Sequence, residues 1–481
     1  MDKLFIALDI GTSGCRAMAA DAQGRCAAQV SAPLVPLRKG MLSEYDADAL
    51  SGCAQKVLGD LLTQVGAEHA GALAVSSQRS TIVLWDKTTG QPVAPVLTWE
   101  DGRAAQECAE NTLSQEEVHL LTGLYKTPYF SAPKVAWCLK NSAPAAASLA
   151  KGQLAAAPVA SYIIWKLTQG EVFATDPTLA QRTLLFDIHT LSWSEKLCHS
   201  FGVPLACLPP VLPSCADYGT FTYQGVKIPI VVCVGDQQAA AAYLPLTRGK
   251  TSLNYGTGAF LLHHVGQEAV LLQGMLTSLG ACTSAEDKNF LLEGPITAAG
   301  SAFLWLQAQG FAFKMEDVDT WCASAKKPVT LLPALGGLGA PYWDYSVSPV
   351  VTGLSPFTTT ADWVAGMARA VALLMADIGA YLQANGIGLS PEIAVSGGLC
   401  NSAYLMQFEA DLLQRRLVML SETHATLLGA ARLAATHLAQ GAGVSFQPKQ
   451  GRFFSPQISP AQAGSIYEDW RRFVAWCRSK K

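Results

Sequence analysis

Short apolar runs alternating with glycine-rich turns open the chain. Leu4 to Ile10 is one such run, interrupted near its end by Asp9; Gly11-Thr12-Ser13-Gly14 follows, then Arg16 to Ala20 and a second turn at Asp21-Ala22-Gln23-Gly24. The spacing predicts strand, tight turn, strand: a β-hairpin in place of the strand-to-helix turn of a dinucleotide fold. The pattern recurs about half a chain later, with Thr251 to Tyr255, Gly256-Thr257-Gly258 and Ala259 to Leu262. Two hairpins alike in turn chemistry predict an internal duplication with a nucleotide lying between the lobes. Such turns offer backbone N–H groups and hydroxyls to a polyphosphate, and Asp9 can hold a hydrated metal ion. Taken singly, each hairpin is equally an ordinary turn that uses glycine for its geometry.

Between the hairpins, Ala72-Leu73-Ala74-Val75 and Thr81 to Trp85 read as strands and Ala155 to Leu167 as a helix. Ile228 to Val234 is a continuous apolar run of the buried-strand kind; it ends at Gly235-Asp236-Gln237-Gln238 and enters an Ala-rich helix. Helix propensity accounts for the Ala-rich stretches 143–157 and 239–242. Downstream, Asp362 to Ala384 reads as a long helix stopped by Asn385-Gly386. The strand Glu392 to Val395, the turn Ser396-Gly397-Gly398, a helix through Arg416, the strand Leu417 to Leu420 and a helix Thr426 to Leu438 follow. Strand, glycine turn, helix lets a ligand approach the backbone closely, although tight packing asks for the same glycines. Near the C-terminus, Asp469 to Trp476 predicts an amphipathic helix that docks Trp470 and Trp476 on the second lobe.

Length alone, 481 residues, suggests about three domains. The repeated hairpin reduces that to two lobes, 1–246 and 247–481, with the boundary region at Leu244 to Lys250. Lys and Arg number 34 against 37 Asp and Glu, so no basic excess exists to neutralise a phosphate backbone, and neither nucleic acid nor membrane is expected as a partner. The 13 cysteines are scattered without a C-x-x-C pair and read as reduced, mostly buried thiols. Acidic Asp9 comes too early for a signal peptide and no uninterrupted apolar run has membrane-spanning length, so the expectation is a soluble, cytoplasmic protein. His263-His264 would diverge on a strand and are not taken as a metal pair.

Asp9-Ile10-Gly11-Thr12-Ser13, Val234 to Gln238, Tyr255-Gly256-Thr257-Gly258 and Ser396-Gly397-Gly398, in this order, resemble the motifs of the FGGY carbohydrate kinases. Tyr129 to Trp137 is similar to that family's signature segment, with Cys138 where an aliphatic or aromatic residue is usual. Within the family the motifs are most similar to those of the glycerol kinases, through Gln78-Arg79, Trp85 to Gly90, Pro128 to Ser131, Gly336 to Asp344 and Leu405 to Phe408. The resemblance covers nearly the whole chain, thinning after Ala439. It implies an α/β, two-lobed, actin-like ATPase fold, a duplicated ribonuclease H-like unit with the nucleotide cleft between lobes. It further implies ATP- and Mg²⁺-dependent phosphorylation of a hydroxyl on a small polyol or sugar, glycerol-like or a four- or five-carbon polyol or ketose such as xylulose, and leaves a homodimer open.

Carried over position by position, the resemblance makes Asp236 the catalytic base, for which a helix N-cap is the plainer alternative. Asp9 and Asp236 fall to the metal; Gly11, Thr12, Ser13 and Arg16 to the first phosphate loop; Gly256 and Thr257 to the second; Gly300 to a nucleotide-contacting turn; and Gly397, Gly398 and Asn401 to the adenosine side. There Ser396 stands where an Asp is common. Arg79, Trp99, Tyr129, Asp236, Gln237 and Phe260 fall around the acceptor, and Glu44-Tyr45-Asp46 receives no role. Ser80 occupies the position of a glutamate in the glycerol kinases. A carboxylate accepts charge-assisted hydrogen bonds from two hydroxyls, so its loss predicts either poor use of glycerol or a larger acceptor in the vacated space. Two other classes remain open: an actin- or chaperone-like nucleotide switch, and a weakened sugar-binding regulator of the same fold.

Overall fold

The structure is a computed structural model that describes residues 3–244, 246–421, 424–439 and 443–480. Pro245, inside the expected boundary region, lies outside the described residues.

The first hairpin forms as its pattern requires, Leu4–Gly11 antiparallel to Gly14–Ala20. It sits inside a six-stranded sheet ordered Thr220–Tyr223, Val226–Gly235, Ala70–Ser77, Leu4–Gly11, Gly14–Ala20, Cys26–Pro33. Ala70–Ser77 is buried along its whole length, and Val226–Gly235 is buried from Ile230 onward. Strands covered on both faces have no polar side to present, which is why they read as unbroken apolar runs. The second hairpin, Thr251–Tyr255 with Ala259–Gly266, begins the same plan again. In both sheets the first hairpin strand lies parallel to a later strand, which is parallel to the next, which carries an antiparallel edge strand. The second sheet runs Leu276–Leu279, Phe290–Ile296, Ala259–Gly266, Thr251–Tyr255, Glu392–Ser396, Arg416–Leu420, Gln450–Phe454.

Helix Thr360–Ala384 opens on a capping box between Thr359 and Asp362 and packs into the second core. It is long and apolar enough to cross a membrane, but 83% of its most apolar window is buried inside the protein. Helix Ala425–Leu438 crosses back instead, burying Leu427, Ala430 and Ala434 with Phe5, Met18 and Val232 of the first sheet. A Cβ on its Gly429 would lie 1.8 Å from the carbonyl oxygen of Ala239, so only glycine permits this approach to helix Asp236–Tyr243.

Four expectations need correction. Ala155 to Ala157 belong to a strand, Leu154–Pro158, antiparallel to Ile82–Asp86, and the helix starts only at Val159. The Ala-rich stretch 143–157 is accordingly helical only over Ala143–Ala150. Alanine carries no period-two signal when both faces of a strand are covered. The helix expected to reach Arg416 ends at Leu413, where Gln414 turns left-handed at φ 51°, and Arg416 opens the next strand. Of the two C-terminal tryptophans, Trp470 is seated, donating to Asp377 Oδ2 at 2.9 Å, whereas Trp476 is 46% exposed. All 13 cysteines are free.

Candidate active site

Asp9 lies inside the buried stretch Phe5 to Ile10 of the first hairpin strand, 6% exposed, and accepts from Ser76 Oγ at 2.9 Å. Burial, and next the nearby charge of Asp236, push its carboxyl up to about 7. The turn after it is pinned from three sides. Tyr45 donates its hydroxyl to the Thr12 carbonyl at 2.5 Å, Trp99 donates its indole N–H to Thr12 Oγ1 at 2.9 Å, and Thr12 Oγ1 donates to Gln78 Oε1 at 3.3 Å. Arg16 stands in register with Asp9 across the hairpin.

The second turn is held in the same manner by the helix that follows it. Gly300 opens helix Gly300–Ala308 and donates its N–H to the Gly256 carbonyl at 3.0 Å, and Ser301 donates to that of Thr257 at 2.9 Å. A Cβ at Gly300 would lie 2.6 Å from the Gly256 oxygen. Gly397 takes φ 101° and lies so close to Tyr255 that a Cβ would meet its carbonyl oxygen at 2.3 Å. Both glycines are therefore fixed by contact with the second hairpin. A cavity of about 400 Å³ joins the lobes, with Asp9 and Arg16 on one wall and Asn254, Ser396, Gly397, Gly398 and Asn401 on the other. Ser396, in place of an acid, accepts from Asn254 Nδ2 at 3.0 Å.

Past Asp9 the site continues to Asp236, the first residue of helix Asp236–Tyr243. Gly235 holds the N-cap position, so Asp236 is not the cap; its Oδ1 accepts from the Gln237 N–H at 2.7 Å, and the side chain remains 36% exposed. A Cβ at Gly235 would lie 2.7 Å from Gln238 Oε1 and 3.1 Å from both Cγ and Cδ of Arg79, so a side chain there would crowd Arg79. The Gly235 N–H donates to Thr178 Oγ1 at 2.9 Å, and that hydroxyl donates to buried Asp176 at 2.8 Å. Burial pushes the Asp236 carboxyl up while Arg79, with Nε 3.6 Å from Oδ1, pulls it down.

Arg79 reaches further. It forks onto Glu293, Nη1 to Oε2 at 3.3 Å and Nη2 to Oε1 at 3.4 Å, and Arg182 Nη2 donates to the same Oε2 at 2.5 Å. Arg182 and Glu293 are each 2% exposed. Charge from Arg182, and next from Arg79, holds the Glu293 carboxyl down at about 2 despite its burial. The rings of Trp99 and Tyr129 pack at 5.4 Å, and the Tyr129 phenol feels the charges of Arg79, Arg182, Glu293 and Asp236. Phe260 lies on the second hairpin in register with Asn254 and Pro295. Ser80 adopts φ 62° with a buried Oγ that has no partner among the described residues. Fully buried Lys134 donates to the carbonyls of Ser80 (3.3 Å) and Tyr129 (2.7 Å), and burial brings its ammonium down to about 7.

The structure thus gathers Asp9, Thr12, Arg79, Ser80, Trp99, Tyr129 and Asp236 around one end of the cleft. The sequence reading passed through Tyr45 and Lys134 without giving either a role, and did not single out Arg182 or Glu293. The only signal for Glu293 is an acid at the end of the apolar run Phe290-Leu291-Leu292, a placement that calls for a buried polar or charged partner. Among the described residues no cluster of three His, Cys, Asp or Glu side chains could hold a metal. Asp9, whose proton affinity the nearby charge of Asp236 raises, and Asp236 itself are carboxylates that would suit a Mg²⁺, an ion that binds through one or two carboxylates together with substrate phosphates.

Two sheets of repeated plan around a shared cleft define a two-lobed, actin-like ATPase fold. The match to known proteins is equally extended. Residues 4–242 match the N-terminal domain of the FGGY family of carbohydrate kinases and 251–438 its C-terminal domain. The chain belongs to that family and is a phosphotransferase with an alcohol group as acceptor. It is 34% identical to a glycerol kinase of Shewanella piezotolerans and 33% identical to one of Shewanella oneidensis, over 99% of each chain. Among solved structures it superposes on Plasmodium falciparum glycerol kinase with ADP at a TM-score of 0.92, with 23% identity and coverage of 99% of this chain and 98% of that one. A xylulose kinase from Lactobacillus acidophilus follows at TM-score 0.86, 20% identity and 98% of each chain. At these identities the superpositions speak to the fold.

Proposed function

We propose that this chain transfers the γ-phosphoryl group of ATP to a hydroxyl of a small polyol or ketose in the cytoplasm, with lobes 1–246 and 247–481 closing on the two substrates. The observation that carries the reading is that Asp9, in the wall of the cavity that also takes in Asn254, Gly397 and Gly398, feels the charge of Asp236, which has Arg79 at 3.6 Å and the packed rings of Trp99 and Tyr129 nearby. In this reading ATP lies along the cavity, its phosphates toward the two turns and the N-terminus of helix Gly300–Ala308. Mg²⁺ at Asp9 and Asp236 would neutralise developing phosphate charge. Asp236 takes the acceptor proton as the acceptor oxygen bonds to the γ-phosphorus and the bond to the bridging oxygen of ADP breaks. Arg79 orients that carboxylate. The aromatic faces of Trp99 and Tyr129 cover the acceptor's carbon backbone.

Ser80 sets the acceptor in this reading. Its short hydroxyl, buried and unpartnered, replaces the two strong hydrogen bonds a carboxylate would give, so glycerol is a poorer substrate than a four- or five-carbon acceptor. ADP release measured with and without glycerol, erythritol, ribitol, xylulose, ribulose and gluconate tests the function. Turnover that depends on one of the longer neutral acceptors is expected. Acceptor-independent hydrolysis would instead identify a nucleotide switch, and tight binding without turnover a regulator.

A further inference from the structure

Arg79 and Arg182 are two guanidinium groups at the acceptor end of the cleft, and both are already matched. Glu293, on strand Phe290–Ile296 of the second sheet, takes a forked pair of bonds from Arg79 and a third from Arg182. Ser278 Oγ donates to the same Glu293 oxygen at 2.9 Å and accepts from Arg182 Nη2 at 2.6 Å, closing the cluster. Asp236 is the second carboxylate beside Arg79. Two cations therefore face two anions. Lys134, in the wall beside Ser80, directs its amine to backbone carbonyls. Nothing in this set is left over to meet a negative charge on the acceptor.

We infer that Glu293 is a specificity determinant of the transfer reaction: by neutralising the guanidinium groups of Arg79 and Arg182 it restricts the acceptor to an uncharged polyol or ketose and rejects sugar acids. The inference rests on the proposed kinase reading and narrows it. A carboxylate brought against this cluster would meet Glu293 and Asp236 with no uncompensated partner, and desolvating it there is costly. Glu293 comes from the second sheet while Arg79 and Arg182 come from the first half of the chain, so the neutral pocket is complete only with the lobes in contact.

The test compares kcat/KM for xylulose against gluconate and for glycerol against glycerate in the full chain, in Glu293→Gln and in Arg182→Gln. The wild type should prefer the neutral member of each pair. Glu293→Gln keeps the side chain's shape and releases a cation, so the preference should fall by about tenfold or more, whereas Arg182→Gln should strengthen it. A purely structural role would lower all four values together and leave both ratios in place. A wild type that prefers the acids, or ratios in both variants within about twofold of wild type, overturns the inference while leaving the kinase intact. Should Glu293→Gln fail to fold, Arg182→Gln and the wild-type ratios still decide. Absence of turnover by the wild type on every acceptor would instead be a failure of the proposed function.

Discussion

Trp99 donates its indole N–H to Thr12 Oγ1 at 2.9 Å, and this bond joins the turn expected to meet phosphate to the wall expected to meet the acceptor. The same hydroxyl donates to Gln78, the residue before Arg79, and the backbone N–H of Gln78 donates to the Ile10 carbonyl at 2.8 Å. Neither side can shift without moving the other. Phosphoryl transfer relies on alignment more than on covalent chemistry, and a network of this kind fixes the alignment before substrates arrive.

Asp236→Asn preserves the shape of the proposed base and its contact with the Gln237 N–H while abolishing its proton affinity. Acceptor-dependent ADP formation should fall by about 10²–10⁴-fold, the usual worth of a positioned base. Nucleotide binding, followed by titration with a fluorescent ATP analogue, should change little. Full turnover in this variant would remove Asp236 from the role of base.

Asp9→Asn should stabilise the substrate-free protein even as it removes activity. The Asp9 carboxyl, ordinarily near 3.8, sits at about 7 because it is buried and faces Asp236. A raised acid binds its proton more tightly in the folded state, so the wild type loses stability as pH rises from about 4 to about 7 and regains nothing above that. The variant carries no such penalty. Its advantage should be absent below pH 4 and reach about 2 kcal/mol above pH 7, less than the full shift implies because the cleft admits water. Urea melts across that range, without Mg²⁺ or nucleotide, would expose the widening gap, and a constant gap at every pH would contradict it.

Where glycine, periodicity and charge act locally, the elements that frame the candidate site were legible in the sequence. The two hairpins, the strand ending at Gly235 and the Gly397 loop are all dictated by turn geometry or close backbone approach, and their spacing along the chain is visible without coordinates. Ala155 to Ala157 show the opposite case: three alanines are equally at home in helix and strand until a partner strand covers them. Glu293 and Arg182 stand 111 positions apart, and nothing local pairs an acid in one apolar run with a cation in another. Position 236 was legible as a carboxylate where a buried strand turns into a helix, but whether it capped that helix required knowing that Gly235 occupies the cap.

Ser80→Glu restores a carboxylate where the pocket now has an unpartnered hydroxyl. Two new charge-assisted bonds to neighbouring hydroxyls should raise kcat/KM for glycerol relative to xylulose by about tenfold or more, through KM and kcat together. Position 80 already tolerates φ 62° with a side chain present, so the longer residue adds no new backbone strain. An unchanged ranking of the two acceptors would show that position 80 does not choose between them.

Thr178→Val tests the support beneath the base. The Thr178 hydroxyl accepts from the Gly235 N–H at 2.9 Å and donates to Asp176 at 2.8 Å, so valine of the same shape leaves one buried donor and one buried acceptor short of a bond. Asp176 keeps Ser214 Oγ at 2.6 Å and the Leu179 N–H at 3.0 Å, which limits the damage. The expected cost is about 1–3 kcal/mol of stability, read from urea midpoints. Gly235 immediately precedes Asp236, so the displaced turn should lower kcat at least about tenfold with the ATP KM nearly unchanged, because misplacement of the base is felt in the transfer step. Thr178→Ser retains the hydroxyl and should recover most of both losses. A valine variant with wild-type kcat would mean that the Gly235 turn holds its position without Thr178.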